Sequence, residues 1–391
     1  MNRIRPAGAI GILVLALVLT ILMTPGCRPL RPLGGRSKST EPTASRGTRK
    51  SGGLLVEVAE SRTRWTGIAV SGQGRIFVCC PRWTDAIFTS VGEVDPSGEL
   101  VPFPDSGWNS WKPSDPPAER FICVQGLCID EDDNLWVLDA ADPGFRGVIQ
   151  GGAKIVKIDI GQGRVVRTIP LSDEAAPRGS YLADLRVDSR RGTAYATDSG
   201  LGALVVVDLK TGASRRVLVD HPSTKAEDVT ITIGGRRWQP GGSVPPGNAD
   251  GLALDPGGEY LYFHPLAGRT LYRIDARRLR EESAGGAAAA RYVEDLYETC
   301  VADGMSVGPD GYLYLTSPED NSIKVFMSLS NLRTVVRDPR LKWPDSIAWG
   351  PDGSMYITTS ETHLGNGASG PFRIFRAFPD QLRAGAGKGR R

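Results

Sequence analysis

The sequence predicts an all-β fold, a six-bladed β-propeller of four-stranded antiparallel blades whose ring is closed by the N-terminal strand. Three observations predict it. A strand–turn–strand unit occurs six times, a second strand pair follows each unit, and turn-forming residues are abundant, with 48 Gly and 28 Pro.

The six units begin at Thr66 (TGIAVSGQGRIFVCCPRW), Gln125 (QGLCIDEDDNLWVLDAAD), Ala183 (ADLRVDSRRGTAYATDSG), Asp250 (DGLALDPGGEYLYFHPL), Asp303 (DGMSVGPDGYLYLTSPED) and Asp345 (DSIAWGPDGSMYITTSET). Each is a mostly apolar run, a tight turn and a second apolar run. The turns SGQG, DPGG and GPDG carry the Gly and Asp that a hairpin needs. A β-sandwich would not repeat one unit six times. The outer strand pairs are legible as Lys154–Asp159 with Arg164–Pro170, and as Leu204–Leu209 with Ser214–Asp220. After the sixth unit only Phe372–Arg376 remains, so that blade lacks a strand. Leu54–Ala59 alternates like a strand, and it is expected to complete the last blade and remove an open edge. Two stretches interrupt the pattern: Gly234–Gly247 reads as a Pro/Gly loop, and Arg277–Arg291 as a short surface helix.

The flanks divide the chain into residues 1–27, 28–53, 54–376 and 377–391. Arg3 and Arg5 precede an apolar run from Ala9 to Met23, the pattern of a secretory leader. The run ends in Thr24-Pro25-Gly26-Cys27, which predicts lipidation at Cys27 in the manner of a bacterial lipoprotein. An ordinary leader and an uncleaved anchor helix are the alternatives. Residues 28–53 are basic, polar and almost free of apolar side chains, so they are expected to be a disordered tether, and the tail from Ala377 is basic too. The chain as a whole is +3, and the excess lies at its ends; the body 54–376 is acidic. A nucleic-acid partner is therefore not expected. The predicted location is outside the cytoplasm, either secreted or on the bacterial envelope, with membrane contact through Cys27. Without Cys27 the odd set Cys79, Cys80, Cys123, Cys128 and Cys300 cannot pair fully; buried free thiols and a partial set of disulfides both fit. No Cys or His spacing suggests zinc.

In a propeller the first strand of each blade lines the central channel, and its start lies on the same face as the end of the second strand. This brings Gln125, Asp184, Asp250, Asp303 and Asp345 to one channel mouth, with Asn248 close by and Arg82, Trp83 and His264 at second-strand ends. Asp139, Asp198, Glu319 and Glu361 end second strands in the same way. Converging carboxylates at Asp250, Asp303 and Asp345 could hold Ca²⁺, bind an organic amine with Trp83 as a cation–π wall, or supply a catalytic general base. They could equally tie each blade to the next. Arg82 and His264 could serve only as a rim ion pair and a side chain packed on Pro265. No nucleophile elbow, P-loop or dinucleotide fingerprint is present.

The segments RIFVCCPRW (Arg75–Trp83), LVPFPDSGWN (Leu100–Asn109), IDEDDNLWVLDAAD (Ile129–Asp142), AYATDSGLGALVVVDL (Ala194–Leu209) and GLALDPGGEYLYFHPLA (Gly251–Ala267) resemble the major royal jelly protein/yellow family, in its bacterial dopachrome-tautomerase-related form. The resemblance runs over roughly Leu54 to Arg376 and implies a six-bladed propeller, export, a pocket for small aromatic amines and a link to dopachrome conversion. The lipoprotein-like leader and tether depart from the insect pattern. A second propeller family, the regucalcin- and gluconolactonase-like lactone hydrolases, sets Glu, Asn and Asp around a divalent metal. Asp250-Gly251 and Asp303-Gly304 match its strand starts, while Thr66 replaces the Glu and no strand start carries Asn-Gly. Three functions follow as expectations: a ligand-binding propeller with or without tautomerase activity, a Ca²⁺-dependent lactonase, or a non-catalytic scaffold.

Overall fold

The computed structural model describes residues 55–379, apart from 85, 242–243 and 282–285. The leader, the tether, Cys27, Leu54 and most of the basic tail lie outside the described residues.

Six four-stranded antiparallel sheets form the blades of a propeller. Their innermost strands are Ile68–Val70, Val124–Ile129, Leu182–Asp188, Ala249–Leu254, Met305–Val307 and Pro344–Trp349. In the sixth blade the order runs from Pro344–Trp349 through Met355–Thr359 and Phe372–Ala377 to Leu55–Ser61. The N-terminal strand is thus the outermost strand of the last blade, paired antiparallel with Leu55 opposite Ala377 and Ser61 opposite Phe372. The ring closes as the sequence predicts. The N-terminal strand covers the outer side of Phe372–Ala377 and is itself the outermost strand of that blade.

Each blade is buried on both faces, which explains why its strands read as apolar runs rather than clean alternations. Successive residues alternate between two cores. Leu135 and Val137 pack with Phe77 and Val91 of blade 1, whereas Trp136 and Leu138 pack with Leu185 and Val205 of blade 3. Six such clusters fill the six seams between neighbouring blades. The hairpins are closed by Asx turns. Asp255 Oδ1 accepts the amides of Glu259 and Tyr260 at 2.6 and 2.5 Å, and Gly258 supplies the positive φ of 66° that the turn requires.

The two irregular stretches carry more structure than their composition suggests. Ile231–Ile233 and Arg236–Trp238 form a hairpin whose second strand lies inside the expected Gly234–Gly247 loop. Residues 276–290 hold two short helices, Ala276–Arg280 and Gly286–Ala290. Leu279 and Ala289 are buried against blades 3 and 4, so the expected surface helix is partly core. Cys79, Cys80, Cys123, Cys128 and Cys300 are all free thiols, four of them buried.

Candidate functional site

The channel mouth opens into a cavity of about 680 Å³ lined by all six blades. Blade starts reach it through β-bulges. The pairing register slips between Val124 and Gly126, Leu182 and Leu185, Ala249 and Gly251, and Pro344 and Ile347. A bulge adds a residue and re-aims side chains, here at Gln125, Asp184, Asp250 and Asp345. The glycines that follow the start residues have a packing reason. A Cβ on Gly251 would lie 2.5 Å from the Asp303 carbonyl oxygen, and one on Gly304 would lie 2.4 Å from that of Asp345. Asp-Gly therefore marks the point where one blade's backbone touches the next. Second-strand hydroxyls stitch the same joints. Thr197 accepts the Asp184 amide and donates to the Asp250 carbonyl at 2.5 Å; Thr358 accepts the Ser346 amide and donates to the Thr66 carbonyl at 2.5 Å, across the ring closure. In blade 1 the Cys79 thiol does this work, donating to the Gln125 carbonyl at 3.1 Å.

Of the residues the sequence places at this mouth, Gln125, Asp184, Asp250, Asp303, Asp345 and Trp83 line the cavity. Arg82, Asn248 and His264 do not. Arg82 turns away, and its guanidinium donates to the carbonyls of Ile122 and Ile87 at 3.1 and 2.6 Å. Asn248 joins Gly200 to Ala226 through its side-chain amide. His264 is fully buried between the Pro265 carbonyl and the Thr299 hydroxyl. Strand pleating accounts for the last case: His264 pairs with Gly251 and points into the blade. The other rim carboxylates are neutralised locally, Asp139 by Lys154, Asp198 by Arg216, Glu319 by Arg269 and Glu361 by Lys342.

Asp250, Asp303 and Asp345 differ. None has an ion-pair partner among the described residues. Burial drives the Asp250 carboxyl up to about 7, with Asp184 and Asp345 adding repulsion against a Ser199 hydrogen bond. Burial raises Asp345 to about 6, opposed by the Ser360 and Ser346 hydroxyls and the Arg64 charge. Asp303 is pushed well above the carboxylate range by burial and by its two neighbours, although Trp343 Nε1 donates to its Oδ2 at 2.5 Å. Asp184 is raised by burial but pairs with Arg186 at 2.6 Å. Near neutral pH the group shares fewer negative charges than it has carboxyls.

Residues that sequence reading missed complete the walls. Trp83 and Phe145 lie 5.6 Å apart, Phe145 and Tyr181 5.3 Å apart, and Trp83 Nε1 and Gln125 Nε2 both donate to the Tyr181 hydroxyl. Arg186 crosses the channel from blade 3 to donate to the Met305 carbonyl of blade 5 at 2.7 Å, making a floor. An arginine inside an otherwise apolar inner strand was the visible signal for it. Arg64 sits 5.2 Å from the Trp83 ring and donates to the Gly365 carbonyl. Trp238, from the irregular hairpin, and His363 also line the cavity.

Among the described residues no group of three or more His, Cys, Asp or Glu side chains is placed to hold a metal ion. Asp250, Asp303 and Asp345, where a Ca²⁺ site was expected, are not among such a group. Each carboxyl belongs to a different blade and is committed to its own donors, from Ser199, Trp343 and Ser346 respectively. What the cavity offers is a shared acidic floor under aromatic walls.

Comparison with known proteins agrees with this architecture. Solved structures of similar shape include a gluconolactonase from Xanthomonas campestris (TM-score 0.50, 16% identity, 83% of this chain and 88% of that one) and a luciferin-regenerating enzyme (TM-score 0.52, 13% identity, 84% and 95%). At such identities they establish the fold alone. In sequence, the chain is 24% identical over 271 residues to protein yellow of Drosophila melanogaster, covering 64% of this chain and 47% of that protein. It is 22% identical over 261 residues to major royal jelly protein 7 of Apis mellifera, covering 60% and 55%. The chain thus spans about half the length of these relatives. The family model for major royal jelly proteins matches residues 122–362, which hold blades 2 to 5 and the inner strands of blade 6, and by that match the chain belongs to the major royal jelly protein family.

Proposed function

We propose that this is an exported binding propeller that takes a small aromatic or polar amine at the channel mouth. One observation carries the reading: Asp250, Asp303 and Asp345 converge without a basic ion-pair partner on a cavity walled by Trp83, Phe145 and Tyr181. A protonated amine would supply the missing positive charge through charge-assisted hydrogen bonds, and the rings would cover its apolar part. Export is supported by the apolar run from Ala9 to Met23 behind Arg3 and Arg5, and lipid attachment at Cys27 belongs to the same proposal.

Calorimetric titration with tryptamine and with its neutral alcohol counterpart tests the charge requirement. Saturable binding of the amine, at least about tenfold tighter than the alcohol, is expected. Equal affinity for both, or none for either, contradicts it.

A second reading, tautomerase activity of the dopachrome type, is favoured by Asp250. A carboxyl poised at about 7 can both take and return a proton at neutral pH. In that reaction Asp250 would remove a proton from one carbon of the substrate, and the proton would return at another atom, with no net redox change. The lactonase reading has no metal site among the described residues to support it.

A further inference from the structure

A second cavity of about 880 Å³ lies beside the channel mouth, and its chemistry is opposite. The turn after blade 2's second strand divides the two. Gly144 and Phe145 line the acidic channel cavity, whereas Pro143 and Arg146 line the neighbouring groove. Across the groove stand Trp111, Lys112 and Arg178.

One buried acid stands behind these positive charges: burial raises the Asp142 carboxyl, and the Arg178 charge opposes it. Lys112, Arg146 and Arg178 form no ion pair among the described residues, although the folded body is acidic overall. Asp173 is the one carboxylate lining the groove, and it accepts from Gln150 Nε2 at 3.0 Å. Arg146 and Arg178 are also held near each other by the backbone. The Val148 amide donates to the Arg178 carbonyl at 3.0 Å, and Gly147, with φ of 99°, approaches so closely that a Cβ would meet Arg178 Cγ at 2.9 Å. Arg178 Nη2 also donates to the Arg146 carbonyl at 3.5 Å.

Trp111 adds an independent observation. It is 8% exposed, it lines the groove, and its indole Nε1 is buried with no acceptor. A buried N–H without a partner costs stability, and an indole nitrogen can only donate. The groove thus presents guanidinium and ammonium donors and the flat apolar surfaces of Pro143 and Pro177, with the unsatisfied Trp111 N–H buried in its wall.

We propose that this groove is a second ligand site, for a small oxyanion carried on a ring-sized body, such as a phosphorylated or carboxylated sugar. Arg146 and Arg178 clamp the oxyanion, Lys112 adds charge at the open side, and the prolines cover the ring. The volume exceeds what a bare inorganic ion needs. This site does not depend on amine binding in the channel, since the two cavities share no lining residue.

Calorimetric titration of the full chain with glucose 6-phosphate, and separately with glucuronate, tests the proposal in phosphate-free buffer. Saturable binding is expected in at least one arm, and the arm that binds tells phosphate from carboxylate. The double variant Arg146→Ala/Arg178→Ala should bind that ligand about tenfold or more weakly. Both side chains are exposed, so its thermal unfolding should match that of the parent, and tryptamine titration should be unaltered. Failure of both ligands to bind saturably, or equal affinity in the double variant, overturns the site.

Discussion

Replacing Asp250 and Asp303 together by Asn should weaken binding of a protonated aromatic amine by about a hundredfold, while either single change should cost much less. The difference follows from the shared charge. Asp250, Asp303 and Asp345 are each raised by burial and by repulsion from neighbouring carboxyls. Removing one carboxyl relieves the others, and a neighbour ionises in its place, so the cavity keeps a negative charge for the amine. The double variant leaves Asp345, whose charge Arg64 already faces, and Asp184, which is already paired with Arg186. Asparagine keeps an oxygen to accept from Trp343 Nε1 at position 303, so folding should survive. Titration of the parent, both single variants and the double variant checks the pattern. Additive losses would mean independent carboxylates, and no loss would place the amine elsewhere.

The second large effect is on stability. Lys154→Met should destabilise the propeller by about 3 to 5 kcal/mol. Lys154 is 1% exposed, and its Nζ donates to Asp139 Oδ2 at 2.7 Å and to the carbonyls of Pro117 and Gly152 at 2.9 and 3.0 Å. Asp139 accepts from the amides of Ile122, Cys123 and Ala141 as well, so it anchors the chain entering and leaving blade 2. Methionine would leave a carboxylate with 0% exposure and no counter-charge, and two carbonyls without a donor. Urea unfolding followed by tryptophan fluorescence measures the loss. Lys154→Met/Asp139→Asn should recover part of it, because the stranded charge is gone while the amide oxygen still accepts from Cys123 and Ala141. A change below about 1 kcal/mol in the single variant would mean that the pair is not closed to water.

The fold was legible because a propeller writes its period into the chain. Each seam needs an apolar strand face on both sides, and each hairpin needs Asp or Gly, so six copies of one pattern appear. The closing strand was visible because the sixth blade was short of a partner. The site was legible only in its carboxylates, Gln125 and Trp83, which sit at the repeat starts and at the end of a second strand. Arg82, Asn248 and His264 occupy similar sequence positions, yet strand pleat and local hydrogen bonds take them out of the cavity. Tyr181, Phe145 and Trp238 arrive from a loop, a 3-10 turn and a hairpin outside the repeat, where no period predicts direction. The metal expectation shows the same limit. Sequence spacing brought three carboxyls to one mouth but could not show that each is held by its own blade, and among the described residues no metal-holding group forms.

The most direct test of the central claim, that buried carboxyls sharing charge receive a cation, is the pH dependence of tryptamine binding with the protons counted by calorimetry in buffers of different ionisation enthalpy. With Asp345 near about 6 and Asp250 near about 7, part of the group is protonated in the free protein, and the amine keeps its charge throughout. Cation binding favours the ionised carboxyls, so protons should leave on binding, and affinity should rise with pH through that interval before levelling off above it. Affinity independent of pH across the interval, with no proton released, would contradict the account.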